Sequence, residues 1–357
     1  MTTLAVVMGE LLNRPGSFPR GLTERQDTTT LMLILVGEIH SHMFLSHHSE
    51  YTKGNRHLFS QGGGKQTMKP PRFQYCAPAI LDEALALLEQ QGDEAKVLAG
   101  GQSLIPLLNM RLARPAYLVD INHISELHYV EPEDGYLAVG ATARQQQIER
   151  SSLVQAQHPL LREAVQHIGH MQIRNRGTVV GSIAHADPAA ELPALLTCLN
   201  GEVVVQSVHG ERVIKAEEFF TGYLSTALEP GEMLTEARFP WIPPQSGWAF
   251  MEFTRRSGDY ALVGAAAVVT PSLDDCCLSA HLAFLGITGV PVRVREVENL
   301  LVGTTLDDQT LEVAAEIART MVSDDMNDVH ATVAYRRALT TELTKRVLRA
   351  AWGRRKQ

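Results

Sequence analysis

Residues 97–114 read VLAGGQSLIPLLNMRLAR, and the order of residue types there decides what the surrounding chain can be. Lys96 to Ala99 has the make-up of a short strand. Gly100-Gly101-Gln102-Ser103 is a loop, and the run to Arg111 supplies one or two helical turns before a second strand, Tyr117 to Ile121. The result is a small βαβ unit. Two adjacent glycines let backbone N–H groups approach a phosphate, and a helix start adds positive potential. Asp120, about twenty residues on, invites comparison with a nicotinamide-type dinucleotide site. That comparison fails, because G-x-G-x-x-G is absent, Pro106 sits inside the helix and the crossover is too short. Alone, the double glycine leaves a phosphate loop and an ordinary turn both open.

A second stretch, residues 173–193, reads IRNRGTVVGSIAHADPAAELP. It gathers small residues with hydroxyl and amide donors, then reaches Asp187-Pro188, the N-cap and first-turn pair that starts a helix. Asp187 therefore has either a capping role or a ligand role. Arg174 and Arg176 are candidates for phosphate or for a partner's carboxylates. His167, His170 and His185 have no carboxylate or thiolate completing a metal set, so solvated or capping roles are expected.

Outward from these stretches the order is regular. Ala77-Pro78 opens a helix with Leu81, Ala84, Leu85 and Leu88 on one face, ended by Gly92. Tyr136 to Gly140 reads as a strand, Thr142 starts a helix through Glu149, and Pro159 to Ile168 is a longer helix. Glu202 to Ser207 and Glu211 to Ile214 form a hairpin about Val208-His209-Gly210, with a further strand at Met233 to Phe239. Pro240 to Gly247 is the linker candidate. Strands at Ala249 to Arg255, Ala261 to Thr270 and Ala280 to Ile287 then lead to helices at Val292 to Leu301, Leu306 to Val322 and Ala331 to Trp352, read as a separate α+β domain.

The chain of 357 residues is 45% hydrophobic and 20% charged, enough to bury large cores without a disulfide scaffold. At roughly 100 to 200 residues per domain, two or three domains are expected. Forty acidic against 32 basic side chains, a formal charge of -8, argue against nucleic acid or an anionic membrane as partner. Cys76, Cys198, Cys276 and Cys277 follow no metal or iron–sulfur spacing and read as buried thiols in a reducing cytoplasm. Leu31 to Val36 is far short of the roughly 18 apolar residues a spanning helix needs, so a soluble, cytoplasmic protein is expected.

Residues 1–67 stand apart. They hold a threonine run at 28–30, a glycine run at 62–64 and no sustained period, and His40, His42, His47 and His48 lack a matching carboxylate or cysteine set. They read as a solvated, disordered extension, with Met68 as the natural first residue. Mass spectrometry of the native N-terminus tests that, since peptides from residues 1–67 would contradict it.

The two stretches closely resemble the two flavin-binding motifs of the medium, FAD-binding subunit of molybdenum-containing hydroxylases. That family includes the flavoprotein subunits of carbon monoxide, xanthine and related dehydrogenases. The resemblance starts at Met68-Lys69-Pro70-Pro71 and runs through Arg255-Arg256-Ser257-Gly258-Asp259-Tyr260-Ala261 to Tyr335-Arg336-Arg337. It implies an α+β protein: a vanillyl-alcohol-oxidase-type FAD-binding domain at 68–243, of two α/β subdomains (about 68–122 and 123–243). A C-terminal domain of antiparallel sheet and helices follows at 246–357. By the same resemblance Val97, Leu98, Ala99, Gly100, Gly101, Gln102, Ser103 and Leu104 line the FAD pyrophosphate, and Thr178, Val179, Val180, Gly181 and Ser182 form the second motif. Asp187 contacts the ribose or phosphate side, Ile168 and Leu228 pack on the cofactor, and Asp259 and Tyr260 approach the isoalloxazine ring. Val180 departs from the family's glycine; if the position needs a positive φ, valine is strained there by about 1 to 3 kcal/mol and FAD binding is weakened.

The chain has no nucleophile elbow, no Ser-His-Asp order and no paired carboxylates, so the chemistry falls to a cofactor. The resemblance implies an electron-transfer subunit carrying FAD. A large partner would hold the molybdenum cofactor and a small partner two [2Fe-2S] clusters, in a dimer of heterotrimers, with electrons leaving for an external acceptor. Two rivals stand beside it. One is a self-sufficient FAD oxidoreductase with Tyr260, Asp259 or a nearby histidine as base; the other is a flavin-free scaffold subunit that lost its cofactor through Val180.

Overall fold

The computed structural model describes residues 69–355; the expectations for residues 1–67 and for Met68 lie outside the described residues. Residues 69–326 and 331–355 cluster as one unit, and Asn327–His330 cluster apart from it, with the His330 N–H donating to Asp328 Oδ1 at 2.7 Å.

The chain enters with β1 (Gln74–Cys76), α1 (Leu81–Gln91), β2 (Ala95–Leu98), α2 (Leu104–Asn109) and β3 (Tyr117–Asp120). The three strands form a parallel sheet in the order β1-β3-β2. α1 turns Ala84, Leu85 and Leu88 into the core and stops at Gly92, whose φ of +50° suits a residue without Cβ. Pro106 lies in the first turn of α2, where its missing N–H breaks no intrahelical bond.

Next come β4 (Val130–Pro132), β5 (Tyr136–Gly140), six helices and a run of strands. The helices are α3 (Gln145–Arg150), α4 (Ser152–Gln157), α5 (Pro159–His167), α6 (Met171–Arg174), α7 (Val179–His185) and α8 (Glu191–Cys198). After them follow β6 (Glu202–Ser207), β7 (Gly210–Lys215), α9 (Ala216–Phe219), β8 (Phe220–Gly222), β9 (Ser225–Thr226) and β10 (Met233–Pro240). An antiparallel sheet runs β4-β5-β10-β6-β7. The helix expected from Thr142 starts at Gln145 instead, because Thr142 Oγ1 donates to Leu127 O at 3.0 Å and ties that residue to the preceding turn.

The last part is β11 (Gly247–Thr254), β12 (Ala261–Pro271), β13 (Cys277–Leu285), β14 (Val292–Arg293), α10 (Arg295–Leu301), α11 (Asp308–Thr320) and α12 (Val333–Gly353). The strands pair antiparallel in the order β11-β12-β13-β14. A helix was expected from Val292, but Val292 pairs with Phe284 as an edge strand and α10 begins three residues later. β12 explains its own composition: Ala261, Ala266 and Val268 enter one hydrophobic core, while Val263, Ala265, Ala267 and Val269 enter the other. A strand with period two and no solvent face needs small and β-branched residues on both sides.

The cysteine expectation holds in part. Cys198 and Cys277 are buried, Cys76 and Cys276 only half so, and all four are free. Among the described residues no helix is long and apolar enough to cross a membrane.

Candidate functional site

The first loop leaves the sheet where Val97 pairs with Val119 and Leu98 with Asp120. Ala99, Gly100, Gly101, Gln102, Ser103 and Leu104 are all half-buried, at the boundary between core and solvent. Gly101 has a φ of +73°, and the Ile105 N–H donates to its carbonyl at 3.0 Å, closing the turn into α2. Gly100 is constrained by approach rather than by dihedral. A Cβ there would lie 2.6 Å from Arg176 O, 2.8 Å from Gly177 Cα and 2.9 Å from Thr178 N. All three are backbone atoms of the second stretch, so the two loops meet main chain to main chain.

In that second stretch Thr178 is the N-cap of α7, its Oγ1 accepting from the Gly181 N–H at 3.1 Å. A Cβ on Gly181 would lie 2.5 Å from that hydroxyl oxygen, so the cap needs the glycine. Val179 and Val180 stand in the first turn with 0% and 2% exposure, packed in the first core, and the Ser182 N–H bonds back to Thr178 O. The strain considered for Val180 is not there: its φ is not positive, because α7 has already begun, and its side chain points into the core. The residue in the left-handed region is Ala186, φ +53°, at the end of the same helix.

Asp187 does not cap a helix. α8 starts at Glu191 with Ala190 as its N-cap, while Asp187 Oδ1 accepts from the Ala189 N–H at 2.9 Å and its carbonyl from Ala190 at 3.0 Å. The Asp-Pro step builds a turn because the carboxylate captures the N–H two residues on. The Gly286 N–H, just beyond β13, donates to Pro188 O at 2.8 Å and docks that turn on the last sheet.

From the same sheet come Asp259 and Tyr260, immediately before β12. Asp259 is buried, and its carboxylate accepts from Arg255 Nη2 at 2.9 Å and from the Tyr260 N–H at 3.0 Å. Tyr260 is exposed as a residue; desolvation, then the charges of Asp187 and Glu191, hold its pKa above the ordinary tyrosine value. Asp187 and Tyr260, from different parts of the chain, are thus neighbours. Glu191 is pushed well above the usual carboxyl range by burial first, then by Glu252 and Asp187. Glu252 in turn pairs with His167 Nδ1 at 3.3 Å and keeps its second oxygen buried without a partner. Ile168, at the end of α5, and Leu228, after β9, are half-buried and pack on the first core.

Other candidates separate from the site. Arg174 is committed to Glu149 (2.9 and 3.1 Å) and to the carbonyls of Ile168 and Gly169, so it braces the α6 turn. Arg176 is exposed. Among the described residues no three His, Cys, Asp or Glu side chains could hold a metal ion. Sequence reasoning missed Asn122, Arg144 and Gln145. Gln145 donates its backbone N–H to Gly177 O at 2.9 Å and holds its buried side-chain oxygen, unpartnered, against Gly177. No motif marks these residues, since each acts on a segment remote in sequence.

Two family profiles match the chain: the FAD binding domain in molybdopterin dehydrogenase over residues 71–242, and the CO dehydrogenase flavoprotein C-terminal domain over residues 248–351. The 6-hydroxypseudooxynicotine dehydrogenase complex subunit alpha of Paenarthrobacter nicotinovorans is 42% identical over 287 residues, 80% of this chain and 97% of its own. The carbon monoxide dehydrogenase medium chain of Hydrogenophaga pseudoflava is 36% identical over 80% of this chain and 99% of its own. In structure, the chain is similar to the carbon monoxide dehydrogenase from Hydrogenophaga pseudoflava that lacks the Mo-pyranopterin moiety of the molybdenum cofactor. The TM-score is 0.78 at 36% identity, covering 80% of this chain and 99% of that one.

Proposed function

This chain belongs to the family of FAD-binding flavoprotein subunits of molybdenum-containing dehydrogenases, and we propose that it holds one FAD across its two loops as the electron-transfer subunit of a heteromeric molybdenum hydroxylase. One observation carries the reading: Gly100 lies against the backbone of Arg176, Gly177 and Thr178 so closely that no Cβ fits. Two glycine-containing turns locked edge to edge make one continuous main-chain rim, the shape a dinucleotide's diphosphate requires.

On this reading Val97 to Leu104 border the diphosphate from one side and Thr178 to Ser182 from the other. Asp187 faces the ribose or phosphate side, Ile168 and Leu228 pack on the cofactor, and Asp259 and Tyr260 border the flavin ring. Bound FAD supplies a centre able to take electrons singly and release them as a pair to an external acceptor such as NAD+, O2 or a quinone.

The side chains near the ring position suit holding a cofactor better than acting on a substrate. Tyr260, with its raised pKa, stays a neutral phenol at pH 7, able to donate a hydrogen bond. The Asp259 carboxylate is taken up by Arg255 and the Tyr260 N–H. Neither is a ready base, which leaves a nearby histidine as the self-sufficient rival's remaining candidate and favours a subunit fed by partners over one that oxidises a substrate itself. The partners would be a large subunit with the molybdenum cofactor and a small subunit with [2Fe-2S] clusters, assembled as a dimer of heterotrimers in the cytoplasm. The scaffold reading loses its ground with Val180 relaxed in a helix.

Isolation of the native complex tests this, with flavin, iron and molybdenum assayed per chain. Flavin in this chain, with iron and molybdenum in others, is expected. Flavin reduction by substrate in the isolated chain would contradict it.

A further inference from the structure

Arg144 belongs to neither loop, yet it bonds toward both. It precedes α3 and forms an isolated antiparallel bridge with Thr178. Its guanidinium donates through Nη1 to Arg176 O at 2.6 Å and through Nη2 to Asn122 Oδ1. Asn122 in turn donates through Nδ2 to Ala99 O at 2.9 Å, and both its side-chain and its backbone N–H reach Asp120 Oδ1. The other oxygen of Asp120 accepts from the Tyr75 hydroxyl at 2.6 Å. An unbroken run of donors and acceptors thus leads from the first-loop carbonyl of Ala99 to the second-loop carbonyl of Arg176. The far end is the atom that a Cβ on Gly100 would strike.

The orientation of these bonds has a consequence for the rim. Across a trans peptide the C=O and the following N–H point in opposite directions. Holding Ala99 O toward Asn122 therefore directs the Gly100 N–H away from Asn122. The planar fork of an arginine suits the task, because it reaches two acceptors in fixed directions.

We infer that Arg144 is a positioning residue that sets the gap between the two loops. Through Asn122 and the carbonyls of Ala99 and Arg176 it sets the affinity of the rim for the diphosphate of a dinucleotide, without touching that ligand itself. The inference rests on the FAD reading above and adds a residue that neither loop motif contains.

The test is titration of the full chain with FAD, followed by flavin fluorescence, and separately with ADP, which carries the diphosphate without a flavin ring. Four variants are compared with the wild type: Arg144→Met, Arg144→Lys, Asn122→Ala and the Arg144→Met/Asn122→Ala pair. Arg144→Met is expected to weaken FAD and ADP in parallel, by thirtyfold or more on the order expected for a lost charged, two-acceptor contact. Arg144→Lys is expected to do the same despite keeping the charge, and the double variant to lose no more than Arg144→Met. The visible spectrum of bound FAD should stay as in the wild type. Asn122→Ala, a milder change that leaves Arg144 on Arg176 O, is expected to weaken binding about tenfold and covers the case of Arg144→Met failing to fold. Wild-type affinity in Arg144→Met, or rescue by lysine, would overturn the inference and leave the FAD reading standing. No FAD binding by the wild type would overturn both.

Discussion

The two loops that meet at Gly100 are built on opposite terms. In the first, glycine is demanded by contact: Gly100 has the other loop's backbone where a side chain would be, and Gly101 has a φ of +73°. In the second, the turn has already become a helix, so a β-branched Val180 fits with its side chain in the core at 2% exposure. The carboxylates that follow each loop differ in the same way. Burial opposes ionisation of Asp120, but hydrogen bonds from Tyr75 and Asn122 outweigh it and hold its pKa below the ordinary value. Glu191 has burial, Glu252 and Asp187 against it and is pushed well above. A family pattern of glycines therefore conceals two requirements, closeness in one loop and helix geometry in the other.

The sharpest break of this contrast is Gly100→Ala. The added methyl must push backbone rather than a flexible side chain, so a loss of about 3 kcal/mol of stability is expected, with loss of flavin from the purified chain. Thermal unfolding and released-flavin assay measure both. Val180→Gly should act against the glycine pattern of the family. It removes a buried side chain and places glycine in a helix, costing about 2 kcal/mol without raising FAD affinity. Tighter FAD binding in that variant would show that strain was present after all.

The carboxylates give a comparison in pH. Glu191 has its folded pKa raised, so its contribution to stability is complete below its unfolded value near 4.5 and is lost as pH rises through the folded value. Glu191→Gln should flatten the fall in stability above pH 4.5, read from denaturant midpoints across pH. Asp120 has the opposite sign: its contribution is present above the unfolded value near 3.8 and is lost as pH falls through the folded one. Asp120→Asn should therefore remove stability at neutral pH and little once pH has fallen below the folded value. A smaller effect is expected for Thr178→Ala, about 1 kcal/mol from loss of the cap on Gly181 N–H.

Local pattern made the long elements legible. The apolar face of α1 with its closing Gly92, the hairpin of β6 and β7, and the two last helices follow from period and punctuation that residues carry in themselves. The short strands were not legible. β1 and β14 are strands only because Tyr117 to Val119 and Ala283 to Phe284 lie beside them. Asp187-Pro188 misled for a related reason: it has the composition of a helix start, but its carboxylate bonds to Ala189 and the turn docks on Gly286. The glycine loops were visible as loops, yet their contact at Gly100 and the bracing by Arg144 and Asn122 join residues from separate stretches of chain. Spacing within one stretch carries no trace of them.

The central claim is that the two loops form a single diphosphate-binding rim, and a calorimetric titration of the purified, flavin-stripped chain with FAD tests it most directly. One FAD per chain is predicted, displaced competitively by ADP, with binding lost in Gly100→Ala and kept in Val180→Gly. Saturable FAD binding that ADP does not displace and that Gly100→Ala leaves untouched would contradict it.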